Sequence, residues 1–365
     1  MIKAQGSARA MKEFWSGRIR SLTPYTPGEQ PKERKFIKLN TNENPYPPSP
    51  KVVEAVQKGV DERLKLYPDP DASKLVSALA QSYGVKESQV FVGNGSDEVL
   101  AFAFQAFFEE GGTVLFPDIT YSFYPVYCNM FGIHYRTVPL QDDFTIPVEK
   151  MLGDNDGVVI TNPNAPTGIE LDQASLRRIL EGNPDVVVIV DEAYIDFGGT
   201  SALPLLDEYP NLLVVQTMSK SRALAGMRVG FAFGSENLIQ GLNCVKNSIN
   251  SYTIDQLAIL AGVAAVEDGD YFAQRCAQVA ATREETSQTL RELGFTVLPS
   301  KSNFIFITHP ELPARKLFAD LREAGILVRY FDLPRIDNFL RVTIGSEEEM
   351  EKFCATMKRF VENVL

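Results

Sequence analysis

The chain has 365 residues, 44% of them hydrophobic and 23% charged, enough for two domains around a large core. With 47 acidic against 36 basic side chains, its net charge of −11 excludes broad binding to nucleic acid or to an anionic membrane, while leaving room for a local basic pocket. Two histidines and four scattered cysteines (Cys128, Cys244, Cys276, Cys354) exclude a histidine-rich metal site and a zinc or disulfide framework, so no metal is expected.

No apolar run is long enough to span a membrane, and residues 1–20 lack an apolar signal core, so cytoplasm is the expected compartment. Residues 1–50 are rich in Pro, Gly and charge and read as an arm over other structure. Helix-like spacing at 51–64 and 71–83 is separated by the turn Tyr67-Pro68-Asp69-Pro70-Asp71. Short apolar strands then alternate with helices, at 89–92, 113–116, 133–138, 157–161, 186–190, 212–216 and 229–233. That alternation predicts an α/β fold with a mostly parallel sheet flanked by helices. After residue 255 helices dominate to 293. Strands at 295–298, 304–308, 327–330 and 339–344, with helices at 312–324 and the C-terminus, predict a smaller α+β domain. The division expected is 1–45, the arm and part of the small domain; 46–255, the large domain; and 256–365, the small C-terminal domain.

Chemistry-bearing residues gather at the strand ends. Gly93-Asn94-Gly95-Ser96-Asp97-Glu98 joins a strand to a helix. Its free N–H groups suit a phosphate, but the same sequence serves as a tight turn capped by Ser96 or Asp97, and it lacks GxGxxG spacing. Tyr121 opens an aromatic helix and is either a ring-stacking platform or core. The loop Asn162-Pro163-Asn164-Ala165-Pro166-Thr167-Gly168 aims side chains at a strand-end crevice, or is a plain loop. Asp191 ends the most apolar strand; buried there it needs a positive partner, unless it caps a helix or joins a structural ion pair. Tyr194 follows within reach of the same crevice. Lys220 comes 29 residues after Asp191, behind Ser219 at the end of another apolar strand, and Arg228 lies between Gly226 and Gly230. A lysine amine so placed can form a Schiff base with an aldehyde, while a carboxylate keeps a pyridine ring protonated as an electron sink. Arg329 and Arg341 stand among apolar strand residues, which points to an anion partner or to structural salt bridges.

In this order the motifs resemble fold-type I pyridoxal-phosphate aminotransferases over nearly the whole chain. The stretches Leu22-Thr23-Pro24-Tyr25, Leu39-Asn40-Thr41-Asn42-Glu43-Asn44-Pro45-Tyr46 and Arg63-Leu64-Lys65-Leu66-Tyr67-Pro68 are similar to the histidinol-phosphate subfamily. The resemblance implies pyridoxal 5′-phosphate bound to Lys220, paired with Asp191, hydrogen-bonded by Tyr194 and covered by Tyr121. Its phosphate would be held by Gly95, Ser96, Ser219 and Arg228, with Asp97 also at the cofactor, and by Tyr67 of a second subunit, making a homodimer with shared active sites. Tyr25, Asn44, Arg329 and Arg341 are implied as substrate ligands. Arg341 would take the carboxylate of glutamate, and Arg341, Arg329 and Tyr25 the phosphate of histidinol phosphate, with 2-oxoglutarate as acceptor. One departure stands out: the family's second asparagine before Pro-Thr-Gly is here Ala165. The expectation is that Asn164, or else Asn162, supplies its bond to the cofactor ring oxygen. Transamination of aromatic amino acids and decarboxylation of threonine phosphate are the alternative activities on the same scaffold.

Overall fold

Strands of continuous Val, Ile and Leu are suited to burial on both faces, and the centre of this molecule is built from them. The computed structural model describes residues 14–26, 28–30 and 36–363. The reading of residues 1–20, up to residue 13, therefore lies outside the described residues, as do parts of the arm. The strands are β1 (Ile37–Lys38), β2 (Val90–Gly93), β3 (Thr113–Pro117), β4 (His134–Val138), β5 (Gly157–Thr161), β6 (Val188–Asp191), β7 (Leu212–Thr217) and β8 (Gly230–Gly234). They are followed by β9 (Thr296–Val297), β10 (Phe304–Thr308), β11 (Ile326–Leu327), β12 (Arg329–Tyr330) and β13 (Leu340–Thr343).

The main sheet has the order β2-β8-β7-β6-β5-β3-β4. It is parallel except for β8, which runs antiparallel to both neighbours. Every residue of β5, β6 and β7 is buried. Alternate side chains divide between two cores: Val188 and Val190 pack on one face with the helices Pro50–Gly59, Ser73–Tyr83 and Gln256–Glu267, while Ile189 packs on the other with the helix Ser96–Phe107. The helix Gln256–Glu267 thus lies with the large sheet, against the two helices that open the described core.

A second sheet, β12-β13-β10-β9, is antiparallel and has its own core under the helices Ala314–Glu323 and Glu347–Glu362. The single strand expected at 327–330 divides. Ile326–Leu327 pairs in parallel with β1, whereas Arg329–Tyr330 pairs with β13, so the chain changes partners at Val328. The arm contributes β1 and a short helix, Gly17–Ser21, neither of which its composition signalled.

Candidate active site

Parallel strands deliver their C-terminal ends to one edge, and there β5 ends in Thr161, β6 in Asp191 and β7 in Thr217. Because β8 is antiparallel, its first residue, Gly230, lies beside both Thr217 and Gly93. Arg228 and the turn at Gly95 are thereby brought to the same edge. These ends, with segments from the arm and the second sheet, line a cavity of about 240 Å³.

Asp191 forms its floor and is 3% exposed. One carboxylate oxygen accepts from the Tyr124 hydroxyl at 2.9 Å and the other from the Ala193 N–H at 3.2 Å. Tyr124 is fully buried and shares a second hydrogen bond, 2.6 Å long, with Thr161 Oγ1. Burial pushes the Asp191 carboxyl up to about 6, against the two donors that pull it down. Among the described residues no cation pairs with it, so an N–H⁺ arriving from the cavity would complete its surroundings.

Lys220 stands on one wall. Its Nζ donates to the Thr41 carbonyl at 3.1 Å and lies 5.8 Å from the Tyr194 ring centre. Burial, and then the nearby Arg341 charge, bring its amine down to about 8, while Glu43 and Asp97 oppose that shift. Tyr194 accepts a 3.0 Å hydrogen bond from Asn42 Nδ2, and burial raises its phenol above the usual range.

One end of the cavity is built for an anion. The helix Ser96–Phe107 starts there after Gly95, whose φ of +81° favours glycine. The approach is tight: a Cβ on Gly95 would come within 2.5 Å of Arg228 Nη2, and one on Gly230 within 2.3 Å of Ser96 N. Arg228 reaches Asp97 at 3.4 Å, and Asp97 accepts from the Tyr121 hydroxyl at 2.8 Å. Ser219 Oγ accepts from Thr217 Oγ1 at 3.0 Å and lines the same end.

The opposite end carries Arg329 and Arg341, register partners on β12 and β13. Neither has an ion pair among the described residues. Arg341 Nη2 donates to the Asn40 carbonyl at 3.2 Å, its Nε is buried without a partner, and its guanidinium lies over the Phe304 and Phe331 rings. Burial lowers its pKa, and the Arg329 charge adds to that effect. Two unneutralised guanidinium groups side by side call for an anion. Tyr25 lines the space between, stacked on Phe123 at 4.7 Å.

Two sequence expectations change. Asn164 does not face the cavity: its amide nitrogen donates to the Ile119 carbonyl at 2.9 Å and to Thr167 Oγ1 at 3.2 Å, and its oxygen accepts from Thr120. Asn162 is bound both ways to the Leu171 backbone, and Ala165 is the residue that lines the cavity. The loop thus spends both asparagines on its own shape. Asn44, read as a substrate ligand, is turned behind the wall, where it donates to the Lys220 and Ser221 carbonyls at 3.0 and 3.1 Å. Tyr67, expected to serve a second subunit, lies away from this chain's own cavity, 81% exposed and stacked on Tyr252. Sequence reasoning missed Tyr124, Thr161 and Thr41. Their contacts with Asp191, with each other and with Lys220 span 37 to 179 residues, so no local spacing marks them.

The donor set fits pyridoxal phosphate: an amine for its aldehyde, an unpaired buried carboxylate for its ring nitrogen, and a helix start with an arginine for its phosphate. A lysine and an aspartate at the strand ends of such a sheet define a pyridoxal-phosphate-type aminotransferase architecture, and the family model "Aminotransferase class I and II" matches residues 34–357. The chain belongs to this family. Within it the chain is 54% identical over 351 residues to the histidinol-phosphate aminotransferase of Clostridium acetobutylicum, covering 96% of this chain and 100% of that protein. It is 56% identical to that of a Marinomonas species, covering 95% and 99%. The fold matches the crystal structure of histidinol-phosphate aminotransferase from Sinorhizobium meliloti in complex with pyridoxal-5′-phosphate, with a TM-score of 0.88 and 22% identity, covering 98% of this chain and 100% of that one.

Proposed function

We propose that this enzyme transfers the amino group between L-histidinol phosphate and 2-oxoglutarate in histidine biosynthesis, with pyridoxal 5′-phosphate as cofactor. The observation that carries this reading is the unneutralised pair Arg329 and Arg341, facing a cavity whose other parts hold Lys220 and Asp191. The names of relatives more than half identical over nearly the full length supply the substrate.

When bound, the cofactor supplies a carbonyl that captures amines and a ring that takes up an electron pair. The chain supplies position and protons. Asp191, steadied by Tyr124, presents a carboxylate oxygen to the ring nitrogen. Tyr121 covers the ring, and Tyr194 donates to its hydroxyl oxygen. Ser96, Ser219 and Arg228 hold the phosphate, with Gly95 giving the backbone room and Asp97 holding Arg228 and Tyr121 in place. Lys220 Nζ, brought down to about 8, is neutral often enough near neutral pH to take the proton from the substrate carbon and return it. Arg341 binds glutamate's carboxylate in one half-reaction. Together with Arg329 and Tyr25 it binds the histidinol phosphate group in the other. One cationic site cannot hold both anions, so the first product leaves before the second substrate enters, giving ping-pong kinetics.

A second copy of the chain belongs to the same reading. Val60, Leu64, Leu66 and Tyr67 are all more than half exposed on one stretch, beside Tyr252. This apolar face supports a homodimer in which Tyr67 reaches the partner's cofactor phosphate. The same reading divides the chain into an arm, a large domain and a small domain, and the packing of the helix Gln256–Glu267 supports ending the large domain after that helix rather than before it. Cytoplasmic residence suits charged substrates, one a phosphate ester and the other a dicarboxylate.

The test mixes the cofactor-loaded protein with one amino donor at a time and follows the absorbance of the bound cofactor. Histidinol phosphate should convert it to the amine form, whereas phenylalanine and threonine phosphate should not. Conversion by phenylalanine alone, or carbon dioxide release from threonine phosphate, would replace this assignment with one of the alternatives.

A further inference from the structure

The loop 162–168 leaves the cofactor's ring oxygen without an asparagine. Ala165 lines the cavity, and Asn162 and Asn164 are committed elsewhere. Tyr194 is then the one side chain proposed to donate to that oxygen, and a phenol has only one hydrogen. Which way that hydrogen points decides whether the bond exists.

The neighbour that sets it is Asn42, 1% exposed and held in the left-handed region at φ +57°. Thr343 Oγ1 accepts from the Asn42 backbone N–H at 3.0 Å and donates to Asn42 Oδ1 at 2.9 Å. Asn303 Nδ2 donates to the Asn42 carbonyl at 3.0 Å. A flipped amide would leave the Thr343 hydroxyl hydrogen without an acceptor among the described residues, so Nδ2 is the end that meets Tyr194 Oη, at 3.0 Å. The phenol oxygen therefore acts as acceptor towards Asn42. Its own hydrogen has no acceptor among the described residues and is left for the cavity, which Tyr194 and Asn42 both line. The Tyr194 ring is fixed edge-on against Phe304 at 5.0 Å, so the hydroxyl can respond only by rotating.

We infer that Asn42 is a positioning residue: it forces the Tyr194 hydroxyl to serve as a donor to the cofactor's ring oxygen, the task left undone by Ala165. This rests on the cofactor assignment above, and its test reads the bound chromophore rather than turnover. A donor to the ring oxygen stabilises the oxygen's anionic form, so losing it raises the pH at which the absorbance of the cofactor bound to Lys220 changes.

Two variants separate the effect from folding. Asn42→Gly keeps the backbone bonds to Thr343 and Asn303 and suits the positive φ. Asn42→Asp keeps the shape but turns the donor into an acceptor that draws the Tyr194 hydrogen away from the cavity. The expected upward shift is about one pH unit for Asn42→Gly and more for Asn42→Asp, since a hydrogen bond to a charged group is worth roughly that. In a Tyr194→Phe background Asn42→Gly should move the midpoint no further, and Asn42→Asp should keep only the part of its shift that comes from its added negative charge. A merely structural residue would leave the midpoint in place or shift it equally in both backgrounds; either result overturns the inference. If Asn42→Asp does not fold, Asn42→Gly decides alone. A protein showing no Lys220-dependent absorbance at all would instead defeat the cofactor assignment, and the inference with it.

Discussion

Lys220 carries its amine in a buried wall, and the consequence is a pH dependence that can be measured on cofactor-free protein. Its folded pKa of about 8 lies below the ordinary 10.5. The neutral, nucleophilic fraction therefore grows as pH rises through 8, and the rate of capturing pyridoxal phosphate should rise about tenfold between pH 7 and pH 9. A stopped-flow absorbance profile with no inflection in that range would contradict the buried setting. Between about 8 and 10.5 the unfolded chain holds the extra proton, so this residue's contribution to stability rises with pH across that window. Lys220→Ala should bind cofactor without the covalent band and lose transamination almost entirely. At the other end of the cavity, Arg341→Ala should lower kcat/KM for glutamate and for histidinol phosphate alike, by about ten- to a hundredfold, the worth of one or two charge-assisted hydrogen bonds. A loss confined to one of the two substrates would show that the anions have separate seats. Asp191 was legible in the sequence because it ends a wholly apolar run, where burial and charge collide in plain view, and Lys220 because it follows soon after a second buried strand. Asn44 and Asn164 were misread because the direction an amide faces in a loop depends on which distant carbonyl it meets, and no spacing records that.

At the scale of elements, the anion end depends on how closely β8 passes under the start of the helix Ser96–Phe107. Gly230 permits this: a methyl group there meets backbone atoms, Gly95 C and Ser96 N, at 2.3 Å, and no side chain can yield to relieve the clash. Gly230→Ala should therefore destabilise the fold by about 1–3 kcal/mol in urea unfolding and weaken cofactor binding as well. Retained affinity at unchanged stability would mean that the two elements separate freely. The main strands could be read to within about two residues, because continuous apolar runs between turn residues have few other uses. The split of 327–330 between two sheets could not be read. Ile326 and Leu327 find their partners on β1 and Arg329 and Tyr330 theirs on β13, and an unbroken β pattern does not record a change of partner. β1 itself is two residues long and is a strand only because β11 lies beside it.

For the whole molecule, the apolar stretch around Tyr67 gives the assembly a test. Leu64→Asp should shift the enzyme from dimer to monomer in sedimentation velocity and lower activity with it, through the lost partner contribution to the cofactor phosphate. An active monomer would remove Tyr67 from the site. The acidic net charge set the expectation that nucleic acid and anionic membranes are not broadly bound. It concealed the cationic cavity, because Lys220, Arg228, Arg329 and Arg341 converge only after folding. The segment 37–44 carries this furthest. Leu39 donates to the Leu327 carbonyl, Asn42 bonds to Thr343 across 301 residues, and the same few residues hold Lys220 and Tyr194. A chain emerging from the ribosome makes this segment about 300 residues before its Thr343 anchor. The large sheet and its lysine have every strand they need by residue 234, but the wall that orients them waits for residue 343. Catalytic competence thus waits for β13, and a product truncated before it would carry the reactive lysine without the wall that orients it.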